Sequence, residues 1–401
     1  MHVRRFCDFD RLTAWASDWD RLASGNPFRS WAWMSTWWRH YGATSPAKRW
    51  PRLYVLAVFD EAERLCGIAP WYADRCPIRG RILRFLGTGE VCSEYLGVLA
   101  APDCQQAVAE SLAAWLGQVP SRHDRWDLLE LTAVDAEDQA TGLLVESLRA
   151  RACLVHSRPG PSCWRIDLPE TWEAYLRMLS ANHRKRIRNA ENRLIRSGRA
   201  VFHLVRRPAD LPHAQQMLIA LHQQRRQMLG QPGCFASERF TAFHREVMAQ
   251  LLPLGQLQLY WIEIDGTPAV AEYFLTGGGV VYAYQNGIAP DRMHLSPGQL
   301  GNMMGIRHAL GSGCRALDFL RGDEAYKAHW RARPRPILEF RIAAPRLHPQ
   351  LALPLWIAAS RLKRWIRNRR HPPPPDPGEA EENHHSPQPE ELCETAASGR
   401  R

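Results

Sequence analysis

Titratable side chains cluster around the end of a short segment, Arg315–Leu320, that is predicted to be a β-strand. The five residues concerned are Asp318, Asp323, Glu324, Tyr326 and Lys327. Open α/β sheets usually bind ligands beyond the carboxyl ends of their strands, which is where these residues stand. The cluster therefore predicts a site for proton transfer, although acidic residues at a helix start also serve the helix dipole alone.

The elements that would position this cluster come before it in the chain. β-branched and aromatic residues predict a strand over Val280–Gln285, and Ser296-Pro297-Gly298 marks the start of a helix that runs to about Leu310. The free amides and the dipole of a helix N-terminus favour a phosphate group, here just beyond Ser296. The same residues also fit an ordinary helix cap, so the anion site is one of two interpretations.

The motifs of this segment resemble those of a known family. They are Tyr284, Asn286-Gly287-Ile288, Ser296-Pro297-Gly298, Asp318-Phe319-Leu320, Gly322-Asp323-Glu324, Tyr326-Lys327 and Trp330. Further matches lie upstream at Asn26–Phe28, Trp37–Arg39, Ser180–Asn189 and Ile264–Ala269. Over about residues 20–345, the chain resembles the bacterial GNAT-type acetyltransferases known as CelD/BcsL-like or BioF2-like, which are related to the FemAB transferases.

This resemblance implies a mixed α/β fold of two tandem GNAT-like lobes, each a twisted sheet flanked by helices. It implies transfer of an acetyl group from acetyl-CoA to an amine by direct attack on the thioester, without a metal ion. The acceptor implied is a sugar or another precursor of the cell envelope or of an exopolysaccharide. The acetyl-CoA contacts would come from Tyr284, Asn286, Ser296, Gly298, Gln299 and Lys327.

Acyl transfer to an amine requires a group that removes a proton from the attacking nitrogen. Asp318, Asp323 and Glu324 are the local candidates, and Glu272 is another because an acid within an apolar strand invites a raised pKa. We rank Asp323 first and Glu272 second. Tyr326 could donate a proton to the departing thiolate.

Length and composition set the domain organisation. The chain has 401 residues, of which 45% are hydrophobic, and it can bury two medium cores. We predict a degenerate GNAT-like lobe over 1–160, an acyl-CoA-binding lobe over 161–345, a basic helix over 346–371 and a disordered tail over 372–401. The ten cysteines form no CxxC pair, and no signal peptide or membrane-spanning run is evident. A cytoplasmic, reduced protein is expected.

The first lobe repeats the order of the second. Hairpins are predicted over Leu53–Tyr72 and Leu257–Leu275, and a strand, a helix and a strand follow each of them. In the first lobe these are Tyr95–Ala100, Asp103–Leu116 and Trp126–Leu131. Asp103 would repel a phosphate at the start of its helix, so cofactor chemistry is expected in the second lobe only.

Two further segments are candidates for binding the acceptor. A basic helix is predicted over Asn182–Arg199, where Arg184 and Arg188 suit a phosphate or carboxylate, although a solvated face explains the charge equally well. Trp37 and Trp38 could stack on a sugar ring or, as is more common, pack between the lobes. The net charge of +11 also fits nucleic acid, but no nucleic-acid-binding module is recognisable.

The chain changes character after about Leu347. Apolar residues from Leu351 to Ile366 line one helical face among many arginines. This pattern is typical of a helix at the membrane interface, here the inner membrane, and it also fits a helix that docks on the protein body. The stretch from His371 to Arg401 is rich in proline and glutamate and is predicted to be disordered.

Two other functions are open at this point. FemAB-type relatives transfer an aminoacyl group from aminoacyl-tRNA, but the long pair of helices that those enzymes commonly carry for tRNA is not evident here. Alternatively, the chain could be a non-catalytic subunit of polysaccharide biosynthesis, such as that of cellulose. The intact motifs at Ser296–Gly298 and Gly322–Lys327 argue against this alternative. Binding of CoA would separate the transferase from both.

Overall fold

The computed structural model describes residues 1–42, 50–118, 121 and 123–370, with side chains as far as Lys363. The tail predicted over 372–401 lies outside them. In these residues the strands are β1 (His2–Phe6), β2 (Arg52–Phe59), β3 (Leu65–Cys76), β4 (Gly80–Phe85), β5 (Leu99–Ala100), β6 (Leu128–Asp135), β7 (Leu154–Pro159), β8 (Cys163–Asp167), β9 (Ala200–Leu204), β10 (Leu257–Ile264), β11 (Thr267–Gly277), β12 (Val280–Ile288), β13 (Ala316–Arg321), β14 (Arg333–Arg335) and β15 (Ile337–Ala343). The α-helices are α1 (Ala16–Leu22), α2 (Trp31–Tyr41), α3 (Gln105–Gln118), α4 (Gln139–Arg149), α5 (Trp172–Met178), α6 (Ala181–Ala190), α7 (Leu211–Met228), α8 (Glu238–Leu251), α9 (Pro297–Gly311), α10 (Ala325–His329) and α11 (Leu347–Arg370).

The strands form two mixed sheets with the same plan. The first has the order β1-β2-β3-β4-β6-β15-β7, with β5 paired to β3, and the second has the order β9-β10-β11-β12-β13-β8-β14. Neighbouring strands are antiparallel except at one place in each sheet, where β4 is parallel to β6 and β12 is parallel to β13. The predicted fold class, mixed α/β with two sheets flanked by helices, is confirmed.

One strand of the first sheet comes from the far end of the chain. β15 follows β14 of the second sheet, but it lies between β6 and β7 and is antiparallel to both. The predicted second lobe, residues 161–345, thus includes a strand of the first sheet. The reason is packing: Ile342 and Ala343 are fully buried in their place between β6 and β7. The order of elements along the sequence carries no information about such an exchange.

The predicted hairpins are present as β2–β3 and β10–β11, whereas the next strand of the first lobe differs from the prediction. The segment predicted as a strand over Tyr95–Ala100 forms only β5, and the strand parallel to β6 is β4 instead. The reason is that Leu96 turns in beside β6, where its amide donates to the carbonyl of Ala133 at 2.9 Å. In the second lobe, β12, α9 and β13 lie where the sequence predicts them.

An aromatic core joins the lobes. Trp33 of α2 is fully buried and lies edge-to-face against Phe243 of α8 and Tyr284 of β12, with ring centroids 5.1 and 5.6 Å away. Trp37 is 3% exposed and stacks on Tyr41. Since these rings connect elements of both lobes, the two sheets are held as one packed body.

Two helical segments carry the excess positive charge. The basic segment forms α6 and then a π-helical stretch, Glu191–Arg196. Helix α11 docks on the first sheet through Leu353, Trp356 and Ile357, so docking on the body, one of its two interpretations, is observed. Of the helices described between residues 1 and 370, none is long and apolar enough to span a bilayer.

Candidate active site

The parallel strands of the second sheet pair over a short stretch and then separate. β12 and β13 pair from Val280 with Ala316 to Tyr282 with Asp318. Beyond this point β12 pairs with β11, and β13 pairs with β8. A cavity that is partly open to solvent lies at this point. Its walls come mainly from β11, β12, α8, α9, β13 and α10 of the second lobe and from the segment Glu90–Glu94 of the first.

Glu272 adds an unpaired carboxyl group to the cavity wall. It lies on β11 opposite Asn286, is 2% exposed, and its Oε1 has no hydrogen-bond partner among the described residues. Burial raises the pKa of Glu272 well above its usual value, because the charged form loses its hydration. Its neighbour on α9 is Gly301, where a Cβ atom would come within 2.4 Å of Oε1. A carboxylate with a raised pKa is the stronger base.

Tyr326 of α10 lines the same cavity. Its ring lies edge-to-face against Phe319, with centroids 5.6 Å apart. Burial, and secondarily the charges of Glu324 and Glu272, raise the pKa of Tyr326 well above its usual value, so the phenol keeps its proton. The fold therefore brings together one unpaired carboxyl group and one neutral phenol.

Asp318 connects the two lobes and does not line the cavity. Its carboxylate accepts hydrogen bonds from the hydroxyl of Tyr95, from Arg165 Nε at 3.1 Å and from the amide of Leu320 at 2.8 Å. Burial raises the pKa of Asp318, and Arg165 and Tyr95 only partly oppose the shift. Because three donors already engage the carboxylate of Asp318, this residue holds the two lobes in place and is not available as a base.

The acidic turn after β13 is tied down locally. Asp323 is exposed and accepts a hydrogen bond from the indole N–H of Trp164 at 3.1 Å. Lys327 is 1% exposed and donates to the carbonyl oxygens of residues 320–322 at distances of 3.2, 2.7 and 2.9 Å. Its Nζ also lies 2.8 Å from the carboxylate of Glu324. Although Lys327 lines the cavity, its ammonium protons are used to close the end of β13.

The predicted cofactor residues of β12 both line the cavity. Tyr284 is the extra residue of a β-bulge, and its hydroxyl donates to the carbonyl of Val91 at 2.6 Å and lies 3.1 Å from His244 Nε2. The carbonyl oxygen of Asn286 accepts a hydrogen bond from His222 Nδ1 at 2.8 Å. The bulge thus turns Tyr284 into the core between the lobes, while Asn286 stays at the opening.

The helix predicted at Ser296 is α9, but Ser296 does not cap it. This residue has a left-handed backbone, φ 53°, is exposed, and its side chain makes no capping hydrogen bond. Gly298 is buried in the first turn, and Gln299 carries a buried side-chain nitrogen without a hydrogen-bond partner among the described residues. The first amides of α9 therefore have no acceptor from Ser296, a condition that favours anion binding.

Several cavity residues escape the sequence reasoning. Glu94 of the first lobe is 2% exposed and forms an ion pair with Arg321, and Cys234 Sγ lies 3.4 Å from His222 Nε2. Burial lowers the pKa of His222 to about 4, so its imidazole is neutral. An acid in a largely apolar run, the signal that singles out Glu272, would also have found Glu94. The contact between Cys234 and His222 has no signal in the sequence.

The residues predicted to bind the acceptor lie outside the cavity lining. Arg184 donates to carbonyl oxygens at the C-terminal end of α5 and just beyond it, including that of Leu179 at 3.4 Å, and Arg188 is exposed on α6. Trp37 is buried in the core and Trp38 is half-buried beside it. The packing interpretation therefore describes Trp37, whereas acceptor binding by the arginines stays a prediction.

Comparisons with known proteins agree with this architecture. Residues 181–328 match the acetyltransferase (GNAT) domain family, and this range contains most of the residues that line the cavity. The narrower CelD/BcsL-like resemblance stays a prediction, and no curated protein sequence matches the chain significantly.

Solved structures with the same fold cover most of the chain. FemX is 11% identical, with a TM-score of 0.58 over 88% of this chain and 98% of that one. The C-terminal DUF2156 domain of a protein from Agrobacterium fabrum, assigned as a lysylphosphatidylglycerol synthetase, is 10% identical, with a TM-score of 0.51 over 88% and 96%. A conserved protein of unknown function from Bacteroides thetaiotaomicron is 8% identical, with a TM-score of 0.52 over 83% and 96%. At such identities the similarity concerns the fold alone.

Proposed function

We propose that this protein is an N-acyltransferase that moves an acyl group, acetyl in the simplest case, from acyl-CoA to an amine. The observation that carries the proposal is the opening between β12 and β13, where the unpaired carboxyl group of Glu272 stands on the cavity wall. The match to the GNAT domain family covers this part of the chain and supports the same chemistry.

The residues around the opening fit an acyl-CoA molecule. The N-terminal amides of α9 would bind its pyrophosphate, and the unpartnered side-chain nitrogen of Gln299 would supply a further donor there. Beyond Tyr282, no strand among the described residues pairs with β12 on the side of β13, so the backbone groups of β12 would pair with the pantetheine arm. The thioester would then reach the cavity that Asn286 and Tyr326 line.

The proposed reaction is direct attack of the amine on the thioester. The nitrogen forms a bond to the carbonyl carbon, the carbon–sulfur bond breaks, and CoA leaves as its thiolate. Glu272 takes the proton that the nitrogen loses, and Tyr326 donates a proton to the thiolate. Glu272 now precedes Asp323 in our ranking, because Asp323 is exposed and bonded to Trp164 outside the cavity lining.

The acceptor proposed is an amine of a sugar or of a cell-envelope precursor. The cavity wall carries Glu90, Glu94 and Glu272; Glu94 is paired with Arg321, and Lys327 is paired with Glu324. The carboxyl groups of Glu90 and Glu272, which pair with neither cation, would accept hydrogen bonds from the amino group of the acceptor. Transfer from aminoacyl-tRNA is the second candidate, and the fold shared with FemX is the observation that favours it.

Titration calorimetry with acetyl-CoA tests the donor. We expect one site for CoA derivatives, and Ser296→Asp should weaken binding at least tenfold because its carboxylate would repel the pyrophosphate. Ser296→Asn is the matched control, since it has the same shape without the charge and asparagine tolerates the left-handed backbone. No heat with acetyl-CoA or with a desulfo analogue would reject acyl-CoA as the donor and favour the aminoacyl-tRNA alternative.

A further inference from the structure

Helix α11 presents a stripe of exposed leucines to solvent. Leu347, Leu351, Leu355 and Leu362 are 83%, 65%, 71% and 56% exposed. At 3.6 residues per turn, these four side chains fall within about 80° of the helix circumference. We refer to them as the leucine stripe. Exposed leucines are ordinary when they are scattered, but four aligned on one helix form a continuous apolar surface.

The opposite face of α11 is already occupied by the body of the protein. Leu353 is 3% exposed and belongs to a small core with Ile82 and Leu128 of the first sheet. The guanidinium groups of Arg79 and Arg341 lie 4.7 and 4.2 Å from the ring centre of Trp356. The leucine stripe therefore does not serve to dock the helix on the first sheet, because the opposite face of the helix makes that contact.

Positive charge borders the stripe. The segment 347–370 contains six lysine and arginine residues and no aspartate or glutamate. Arg361 and Lys363 are both exposed, and the helical period places them on opposite sides of the leucine stripe. An apolar stripe between cations is complementary to a surface that has an apolar interior beneath a negatively charged outer layer.

We infer that the leucine stripe of α11 lies in the headgroup region of an anionic lipid bilayer, with the helix parallel to the membrane plane. The leucines enter the boundary of the acyl chains, and the cations bind lipid phosphates. A second copy of this chain fits less well, since two such helices would oppose their positive charges. A nucleic acid would leave the leucines in water. The inference does not depend on the proposed acyl transfer.

Co-sedimentation of the full-length protein with vesicles tests this inference. Vesicles that contain phosphatidylglycerol should bind the protein, and vesicles of phosphatidylcholine alone should bind it at least tenfold more weakly. The double variant Leu351→Ser/Leu355→Ser should lose at least tenfold in partitioning onto the anionic vesicles. The double variant Arg361→Gln/Lys363→Gln should lose about fivefold for each cation removed.

Leu254→Ser is the matched control, because Leu254 is 57% exposed on a different part of the surface. It should leave partitioning unchanged, and circular dichroism should show that all variants keep their helical content. Equal partitioning of the control and of the stripe variant would overturn the inference. So would a dimer, seen by light scattering, that binds no vesicles and that the stripe variant dissociates, because the occupant would then be a second copy.

Discussion

Each sheet contains one pair of parallel strands, and the two pairs begin alike. In the first sheet β4 and β6 pair from Ile82 with Leu128 to Arg84 with Glu130. In the second sheet β12 and β13 pair over the same length and end with Tyr282 opposite Asp318. In both sheets the strands then lose contact, so the backbone of either lobe has the opening that could receive a ligand.

The two openings are filled differently. In the first lobe the chain returns after β4 and inserts Leu96, which is fully buried and bridges to Val134 of β6. In the second lobe none of the residues that the structure describes returns between β12 and β13, and the cavity lies in this opening. The neighbouring strands also differ. Arg84 pairs with Tyr72 of β3, and three positions before Tyr72 stands Ala69; Tyr282 pairs with Leu275 of β11, and three positions before Leu275 stands Glu272. The two lobes therefore share a strand order, but the opening is closed in the first lobe and open in the second.

The largest effect should come from the carboxyl group that only the open lobe has. Glu272→Gln should lower kcat by roughly 10²- to 10⁴-fold, because the amide cannot accept the proton of the amine. The value of kcat is measured by supplying acetyl-CoA with a panel of amines and detecting the thiol of the released CoA. In the native protein the rate should fall as the pH drops below the pKa of Glu272, and this acidic limb should disappear in the variant.

The control for this substitution is Glu130→Gln in the closed lobe, which removes a carboxylate that is 11% exposed and accepts a hydrogen bond from Arg84. It should leave kcat unchanged for the folded protein. A larger loss from Asp323→Asn than from Glu272→Gln would restore Asp323 as the base. Equal losses from Glu130→Gln and Glu272→Gln would mean that the two lobes do not differ in the way proposed.

Opening the closed lobe should cost stability and bring no ligand site. Leu96→Ala removes a fully buried side chain and should lower the free energy of unfolding by about 3 kcal/mol. Urea denaturation measures this loss, and Leu254→Ala, an exposed leucine, should change it by less than about 0.5 kcal/mol. Calorimetry with acetyl-CoA should still give one site. A second site would show that Leu96 alone keeps the first lobe from binding the donor.

Crowding Glu272 should impair the open lobe without removing the carboxyl group. A methyl group at Gly301 would meet Oε1 of Glu272 at 2.4 Å, so Gly301→Ala should displace the carboxylate and lower kcat by roughly tenfold to 10²-fold. Gly311→Ala is the matched control, since it adds the same atom at the end of the same helix with nothing within 4 Å. If both variants keep the native rate, the position of Glu272 does not matter to the reaction.

Local sequence signals predicted the second lobe better than the first. β12, α9 and β13 follow each other in the chain and pair with their neighbours, so propensity and the turn residues suffice to find them. Leu96 and β15 take their places from contacts distant in sequence. Leu96 fills a gap between strands, and β15 leaves the second sheet for the first, and no periodicity records either event.

The same limit applies to the site. The position of Glu272 in an apolar strand and the motif that contains Tyr326 are both local features of the sequence, and both residues line the cavity. Two features depend on tertiary packing: Lys327 of α10 binds the end of β13, and Glu94 comes from the other lobe. The sequence therefore pointed to several cavity-lining side chains of the second lobe, but Cys234 in the same lobe and Glu94 in the other were missed.

The smallest expected effect is the pH dependence of stability, which should have opposite signs for Glu272 in the open lobe and Glu130 in the closed lobe. Burial raises the pKa of Glu272 above its unfolded value, so its protonated form is favoured in the folded state. Its stabilising contribution is full below the unfolded pKa of about 4.3 and is lost, by up to about 1.4 kcal/mol per pH unit, as the pH rises towards the folded pKa. For Glu130 burial also raises the pKa, but Arg84 and Arg79 outweigh it and the net pKa is lowered. The contribution of Glu130 is therefore present above the unfolded pKa and is lost as the pH falls.

Urea denaturation of Glu272→Gln and Glu130→Gln between pH 4 and pH 7 measures both signs. Relative to the native protein, Glu272→Gln should gain stability as the pH rises, because the buried carboxylate no longer has to ionise. Glu130→Gln should lose stability over the same range, because the paired arginines lose their counter-charge. Parallel curves for the two variants would show that Glu272 is paired or hydrated in solution, and the chemical contrast between the open lobe and the closed one would then fail.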